Sequence, residues 1–279
     1  MNPDKFSKPQ KPYNGFIRNE GGKYYVDRRK KLGSILTNEI ILHELASFLK
    51  KNFPQQSALR VLDDGAGTRP YAILYEKYFS SCISFDTFHS EHNIASVDLI
   101  ASCGKLPFQN ETFDCIICTE VLEHVPEPAA VLKEFHRVLK VGGRIFLTTP
   151  FLVPLHEMPY DFFRYTPSAL YSMSAIAALT VDSIHSKGDY FAVVLLTLQY
   201  PFTKFWQWLS RSLHLSLYHP YNPVVYLAVV VPQLLYLAYW RYVNLSPKEA
   251  FCKKLYRKLS YITVGYITTL IKVHETCAA

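Results

Sequence analysis

Charged residues are scarce in this 279-residue chain, at 19% of the sequence, while aromatic residues reach 15%. The formal net charge of +7 is modest. It permits attraction to an anionic membrane or a nucleic acid, but an ordinary solvated surface is the simpler interpretation. The length is sufficient for one large domain with a full core, or for one domain with an appendage.

Cysteine is also sparse, with six residues, and only Cys115 and Cys118 form a CxxC pair. The pair lies in the apolar run 113–118, which predicts a buried strand. Residues three apart on a strand point to opposite faces, so this pair does not share a zinc ion. We interpret both thiols as small buried side chains in a reducing compartment and expect no metal ion.

The first residues lack the apolar core of a signal peptide, since they are polar and rich in proline. We therefore expect a cytoplasmic protein, or one that is peripheral at the cytosolic face of a membrane. Residues 1–22 predict a loose arm ending in Gly21-Gly22, and residues 24–52 predict an amphipathic helix. Together, residues 1–54 form an expected N-terminal arm and helix.

Short apolar runs and helical stretches alternate through residues 55–189, the expected core. This rhythm is typical of an α/β fold, with a parallel sheet and helices on both faces. Gly142 and Gly143 are expected to end the helix that is predicted at 128–139. The predicted strands are 59–62, 82–85, 96–100, 113–118, 144–148, 179–184 and 261–271, and the predicted helices are 71–79 and 128–139.

A glycine-rich turn, Asp63-Asp64-Gly65-Ala66-Gly67, follows the first predicted strand. Glycines let a backbone turn sharply and approach a ligand, and ligands of open parallel sheets bind at the carboxyl ends of strands. Asp86 ends the next strand, where a carboxylate can accept hydrogen bonds from both hydroxyls of a ribose. Pro70 stands where the dinucleotide fingerprint has its third glycine, which argues against a nicotinamide enzyme.

Downstream motifs occur in a characteristic order: LPF at 106–108, FD at 113–114, EVLEHV at 120–125 and RVLKVGG at 137–143. From about Val61 to Pro150 the chain resembles the class I S-adenosylmethionine-dependent methyltransferases. The nearest type is the broad group that includes the ubiquinone-biosynthesis methyltransferases. The resemblance implies S-adenosylmethionine as cofactor and a Rossmann-like, doubly wound, seven-stranded sheet whose last strand is antiparallel.

The resemblance also implies roles for individual residues. Asp63, Gly65 and Gly67 would lie under the methionine part and the ribose, and Asp86 would bind the ribose hydroxyls. Ser102 and Cys103 would contact the adenine, and Thr119 and Glu120 would line the pocket near the methionine end. Two departures stand out: Ser102 replaces an aspartate of many relatives, and Arg69-Pro70 replaces a frequent third glycine. We expect Pro70 to begin the next helix.

The segment 149–166 follows the fifth strand and concentrates His156, Asp161 and Arg164 among aromatic residues. It resembles a stretch in a bacterial subgroup of these methyltransferases that is often associated with sugar or envelope biosynthesis. An oxygen acceptor usually requires a base, and an imidazole titrates near neutral pH. His156 is therefore the first candidate for a catalytic base and His124 the second. The alternative is that these side chains only hold their loops.

Residues 190–260 form an expected apolar helical insertion before the last strand, which lies in 261–279. Between 190 and 240 the only formal charges are Lys204 and Arg211. Residues 221–240 are long enough for a bilayer span, but they contain Pro223, Pro232 and Gln233. A single crossing is excluded because the chain must return to the sheet. We favour peripheral membrane contact, aided by basic residues at 248–258, over packing on the core or on a second copy in an oligomer.

The sequence thus predicts O-methylation of a glycan, a lipid-linked acceptor or another small molecule. The alternative is a non-catalytic binding or partner protein that retains the fold. A nucleic-acid substrate is not expected, because Thr119-Glu120 stands where such enzymes carry an Asn or Asp followed by a proline and an aromatic residue.

Overall fold

The computed structural model describes residues 17–20, 23–26, 35–53, 57–87, 97–213, 222–245 and 259–273. Contacts divide the chain into two compact units. The first takes in Glu44–His185 and the chain from Tyr266 onward, and the second takes in Phe16–His43 and Ser186–Gly265. The predicted insertion at 190–260 falls within the second unit.

Strands dominate the first half of the chain, and long helices dominate the region before the last strand. The strands are β1 (Ile17–Glu20), β2 (Lys23–Val26), β3 (Ser57–Asp64), β4 (Phe79–Asp86), β5 (Leu99–Ile100), β6 (Phe113–Thr119), β7 (Leu139–Pro150), β8 (Thr180–Ser186) and β9 (Gly265–Ile271). The helices are α1 (Ile35–Asn52), α2 (Ala72–Tyr75), α3 (Pro128–Val138), α4 (Pro167–Ile176), α5 (Tyr190–Ser212), α6 (Pro223–Val225) and α7 (Val231–Leu245). A 3₁₀ turn spans Leu122–His124, and a π-helical segment, Tyr226–Val230, joins α6 to α7.

The first unit is built on a seven-stranded sheet in the order β5-β4-β3-β6-β7-β9-β8. The strands from β5 to β7 are parallel. Lys272, just after β9, exchanges backbone hydrogen bonds with Gly142 and Gly143 near the start of β7. Lys187, just after β8, donates to the carbonyl of Gly265 at the start of β9. Strand β9 therefore runs antiparallel to both neighbours, which confirms the predicted Rossmann-like sheet with its antiparallel last strand.

The central strands are buried on both faces, as expected for a parallel sheet covered by helices. In β6 the run from Cys115 to Cys118 has no exposed surface. Helix α3 lays one face on this core, with Val131, Leu132, Phe135 and Val138 fully buried. The four cysteines among the described residues are buried thiols that form no disulfide with one another.

Four local predictions for residues 17–79 are wrong. Residues 24–26, which were predicted to begin a helix, instead lie in β2, because Tyr24, Tyr25 and Val26 favour extended backbone. Residues 17–20 pair antiparallel with β2 and are therefore not a loose arm. The helix predicted at 71–79 is only the short α2, because β4 already begins at Phe79, and Pro70 lies before that helix rather than in it.

Gly142 and Gly143 do not end a helix. Helix α3 ends at Val138, and both glycines lie inside β7. Gly142 has a φ of +79°, and the pairing of β6 with β7 shifts between Phe113/Leu139 and Cys115/Arg144. The two glycines thus lie in a bulge, where Gly142 has the same left-handed backbone that a helix end needs.

The second unit contains a buried amide network. Pro232 has no N–H to offer the preceding helical turn, and the carbonyls of Ala228 and Val229 instead accept hydrogen bonds of 3.0 and 3.1 Å from Nε2 of Gln199. Gln233 donates to Gln199 and accepts from the amide of Leu36 at 3.0 Å. These buried amides of the apolar region are therefore satisfied by protein. The basic residues expected at 248–258 lie outside the described residues.

Candidate active site

The predicted cofactor residues all lie at one edge of the sheet of the first unit, where the parallel strands end. Gly65 and Gly67 follow β3, Asp86 ends β4, Ser102 follows β5, and Thr119 ends β6. The segment 151–166 follows β7 at the same edge. Open parallel sheets bind ligands at this edge, so the structure brings the residues together where a cofactor is expected.

The turn after β3 requires glycine for two reasons. Gly65 has a φ of +60° and Gly67 a φ of +51°, in the left-handed region. A Cβ atom on Gly65 would lie 2.3 Å from Cγ2 of Val121, so no side chain fits there. Arg69 also has a positive φ, +56°. Glycine adopts this backbone conformation more readily than arginine does.

Asp86 is buried and links this turn to the end of β4. Its Oδ2 accepts a 2.7 Å hydrogen bond from the amide of Gly67, and its Oδ1 accepts one of 2.7 Å from the amide of Thr87. Each carboxylate oxygen has a second lone pair. The group can therefore be held by the backbone and still accept hydrogen bonds from two ribose hydroxyls.

Two neighbouring carboxyl groups under the turn are buried. The hydroxyl of Tyr75 donates to Oδ2 of Asp63, yet burial raises the pKa of Asp63 to about 7. Burial also raises the pKa of Asp64 to about 7, with the thiol of Cys118 beside it. A cationic ligand would favour the ionised form of Asp63. The methionine part of S-adenosylmethionine carries an ammonium and a sulfonium, so the position fits this group.

The two residues assigned to the adenine differ in orientation. Ser102 is exposed, and its carbonyl accepts a 3.0 Å hydrogen bond from the amide of Lys105. Cys103 is only 4% exposed and belongs to the hydrophobic core, where burial raises the pKa of its thiol to about 12. Only the backbone of Cys103 is thus suited to contact an adenine.

Glu120 is fixed at the end of β6 by Thr148 of β7. Its amide donates to the carbonyl of Thr148 at 3.1 Å, and its Oε1 accepts a 2.6 Å hydrogen bond from the Thr148 hydroxyl. The φ of Glu120 is +55°, an unfavourable value for a residue with a side chain. Strain held by neighbouring strands at a strand end is consistent with the predicted position of Glu120 in a binding pocket.

The structure brings the two predicted catalytic histidines together. The ring centroids of His124 and His156 lie 5.0 Å apart in an edge-to-face arrangement. Three carboxylates surround them: Glu123, Glu157 and Asp161. Glu123 and Glu157 were not identified from the sequence, although each stands beside a histidine in the chain. The grouping of all these side chains depends on folding that no local motif reveals.

The segment after β7 is tied to the turn after β6. The carbonyl of Glu123 accepts a 2.8 Å hydrogen bond from the amide of Phe162, and the carbonyl of Leu122 accepts one of 2.7 Å from the Tyr165 hydroxyl. Arg164 grips both oxygens of Asp161, which holds the pKa of that carboxyl down at about 2. The same carboxylate accepts from the amide of His156 at 2.9 Å. Asp161 and Arg164 therefore stabilise the conformation of the loop that carries His156.

Comparison with known proteins identifies the family. A family model described as a methyltransferase domain matches residues 37–182, which is more than half of the chain. The chain belongs to this methyltransferase family. This match confirms the resemblance to the class I S-adenosylmethionine-dependent methyltransferases that was drawn from the LPF, FD and EVLEHV motifs.

The curated relatives match only short stretches of this methyltransferase. A ubiquinone biosynthesis O-methyltransferase of Xanthomonas oryzae is 49% identical over 82 residues, which cover 29% of this chain and 30% of that protein. One of Pseudomonas aeruginosa is 54% identical over 37 residues, covering 13% and 16%. The chain thus spans less than a third of the length of these relatives.

Solved structures agree on the fold. The [4+2]-cyclase SpnF has a TM-score of 0.52 at 16% identity, with 93% of this chain and 87% of that chain covered. A putative sarcosine dimethylglycine methyltransferase from Galdieria sulphuraria has a TM-score of 0.50 at 17% identity, covering 83% and 85%. At this identity the likeness concerns the fold alone.

Proposed function

We propose that this methyltransferase methylates an oxygen atom of a small-molecule acceptor, and that the acceptor is apolar or lipid-linked, such as a lipid-linked glycan. The observation that supports an oxygen acceptor is the contact between His124 and His156, which follow β6 and β7 at the sheet edge where the cofactor is expected. A hydroxyl is a poor nucleophile and must lose its proton as it attacks, which requires a group of this kind. The matching stretches of ubiquinone biosynthesis O-methyltransferases are consistent with oxygen chemistry.

The cofactor supplies an activated methyl group on a sulfonium. In this proposal Gly65 and Gly67, which lack side chains, let the cofactor approach the backbone of the turn. Asp86 binds the ribose, and Glu120 orients the methionine end of the cofactor. The acceptor oxygen forms a bond to the methyl carbon while the carbon–sulfur bond breaks, and the electron pair of that bond stays on the sulfur. The hydroxyl proton passes to the histidine and carboxylate cluster. Alignment of the two reactants contributes much of the rate.

The inference that the acceptor is apolar rests on the segment after β7. Large apolar side chains with more than a third of their surface exposed project from it, an unusual density for a loop. They lie in the same loop as His156. An apolar acceptor would cover these side chains while placing its hydroxyl near the imidazoles. The exposed side chains are Leu152, Leu155, Met158, Tyr160, Phe162 and Phe163.

Contact with the cytosolic face of a membrane is the second part of the proposal, and it rests on the second unit. Phe191, Leu198 and Phe205 of α5 are exposed and spaced seven residues apart, so they share one helix face with Trp208 nearby. Residues Pro223–Val243 are also long and apolar enough to cross a bilayer, but the buried core helix of a soluble protein can have the same length and composition. An exposed apolar helix face is typical of helices that lie in the membrane interface.

The test of the reaction is methyl transfer from S-adenosylmethionine labelled on its methyl group. The purified full chain is incubated with a bacterial total lipid extract or with a panel of water-soluble glycans and phenols. We expect base-stable label in the organic phase, as for an ether, and a loss of about 10²-fold or more in His156→Asn. The matched control is His185→Asn on β8, which should keep the wild-type rate. Label in base-labile esters, or an unchanged rate in His156→Asn, would contradict the proposal.

A further inference from the structure

The cluster at the two histidines has the composition of a metal site. Glu123, His124 and His156 each offer one ligand atom, and these atoms lie within 4.8 Å of one another. Nε2 of His124 is 3.7 Å from Oε1 of Glu123 and 3.9 Å from Oε2 of Glu157. The expectation of no metal rests on the cysteines, and this cluster contains none of them.

Hydrogen bonds set the tautomers of both imidazoles. Nδ1 of His124 lies 2.7 Å from the carbonyl oxygen of Tyr160, and Nδ1 of His156 lies 3.2 Å from that of Pro154. A carbonyl can only accept, so Nδ1 carries the proton in each ring. In the neutral rings Nε2 then carries the lone pair. A backbone carbonyl on the second nitrogen is the usual support of a metal-binding histidine.

The separations also fit one ion. Ligand atoms that bind an ion at about 2.1 Å are separated by at most about 4.2 Å, when they lie on opposite sides of it. The Glu123–His124 separation of 3.7 Å lies within this limit, and the upper bound of 4.8 Å for the whole cluster exceeds it by well under one ångström. Small rotations of the side chains would therefore bring the three atoms onto a common cation.

We propose that Glu123, His124 and His156 bind one divalent first-row transition-metal ion, and that the hydroxyl of the acceptor completes its coordination. Two imidazoles with one carboxylate suit such ions, whereas magnesium and calcium prefer oxygen ligands. The second half of the proposal rests on the proposed function. A bound cation lowers the pKa of a coordinated hydroxyl, and the adjacent Glu157 carboxylate takes its proton. The histidines then act as ligands, with Glu157 as the base.

Cobalt(II) is the probe, because it shows visible absorption bands when bound by nitrogen and oxygen ligands. Titration of the metal-stripped full chain should give bands that saturate at one equivalent. His124→Gln and His156→Gln should each weaken binding at least tenfold, while the exposed His185→Gln on β8 should bind as the wild type does. Absence of the bands would overturn the proposal, as would binding that neither cluster variant weakens, which indicates an adventitious ion only.

A second measurement separates this inference from the proposed function. Binding of S-adenosylmethionine is measured by calorimetry with a chelator present, and methyl transfer is measured with the chelator and after addition of Mn²⁺. The proposal predicts unchanged cofactor binding, loss of transfer with the chelator, and recovery with Mn²⁺. Full transfer in the chelator overturns the metal's role but leaves the proposed function intact. Cobalt binding without any cofactor binding would do the reverse.

Discussion

The amide of Gly67 donates a 2.7 Å hydrogen bond to Oδ2 of Asp86, which connects the turn after β3 to the end of β4. The bond holds the carboxylate in place without using all of its acceptor capacity. The glycine-rich turn and the end of β4, which were identified separately from the sequence, are thus coupled in the fold. Disturbing either one should therefore affect the predicted cofactor site as a whole.

Replacement of Gly65 by alanine should be more damaging than replacement of Gly142. Both glycines have a positive φ, but a Cβ on Gly65 meets Val121, while one on Gly142 has no atom within 4 Å. We expect Gly142→Ala to lose about 1–2 kcal/mol of unfolding free energy, and Gly65→Ala to lose about 1–3 kcal/mol more. Chemical denaturation measures both. Adding Val121→Ala to Gly65→Ala should recover part of the loss, and equal losses in the two single variants would refute the steric account.

Asp64 should make stability depend on pH. Its folded-state pKa, about 7, lies above its ordinary value of 3.8 because of burial. Between these values the folded state keeps a proton that the unfolded state releases. The free energy of unfolding of the wild type, relative to Asp64→Asn, should therefore fall as pH rises from about 4 to about 7, by at most about 1.4 kcal/mol per pH unit, and stay level above. Denaturation of both chains across this range is the measurement, and a pH-independent difference would contradict the buried acid.

Arg164 should affect turnover more than cofactor affinity. Its guanidinium binds both oxygens of Asp161, the carboxylate that also receives the amide of His156. We expect Arg164→Ala to lower kcat about 10- to 100-fold with the Kd for S-adenosylmethionine unchanged, and Arg164→Lys to recover only part, since lysine lacks the two-pronged geometry. Arg144→Ala, which breaks a 3.3 Å ion pair between Arg144 of β7 and Asp182 of β8, is the control. A matching fall in that control would remove the positioning role.

The exposed face of α5 should bind lipid. The full chain should sediment with anionic phospholipid vesicles, and Leu198→Glu combined with Trp208→Glu should reduce the bound fraction severalfold, because two charges would enter the apolar layer. Tyr171→Glu places one charge on an exposed aromatic site of α4 and should have little effect. A wild-type chain that stays in the supernatant at low salt would contradict membrane contact.

The sequence predicted the sheet well because parallel central strands are continuous apolar runs, and the site residues follow those runs directly. It failed where one local signal serves two structures. A positive φ at Gly142 suits a helix end and a bulge alike, and only the pairing of β7 with its neighbours decides between the two structures. The sequence also could not predict the cluster around His124 and His156. The two histidines and their neighbouring carboxylates meet only because hydrogen bonds connect the loop after β6 to the loop after β7.

The most direct test of the account is calorimetric titration of S-adenosylmethionine into the wild-type chain, Asp86→Ala and Asp98→Ala. Asp98 is the matched control, because its carboxylate binds the amide and hydroxyl of Ser84 in β4 instead of the turn after β3. We expect binding at one equivalent to the wild type and to Asp98→Ala, and a loss of at least 100-fold in affinity for a folded Asp86→Ala. Wild-type affinity in Asp86→Ala would contradict the cofactor site described for this edge of the sheet.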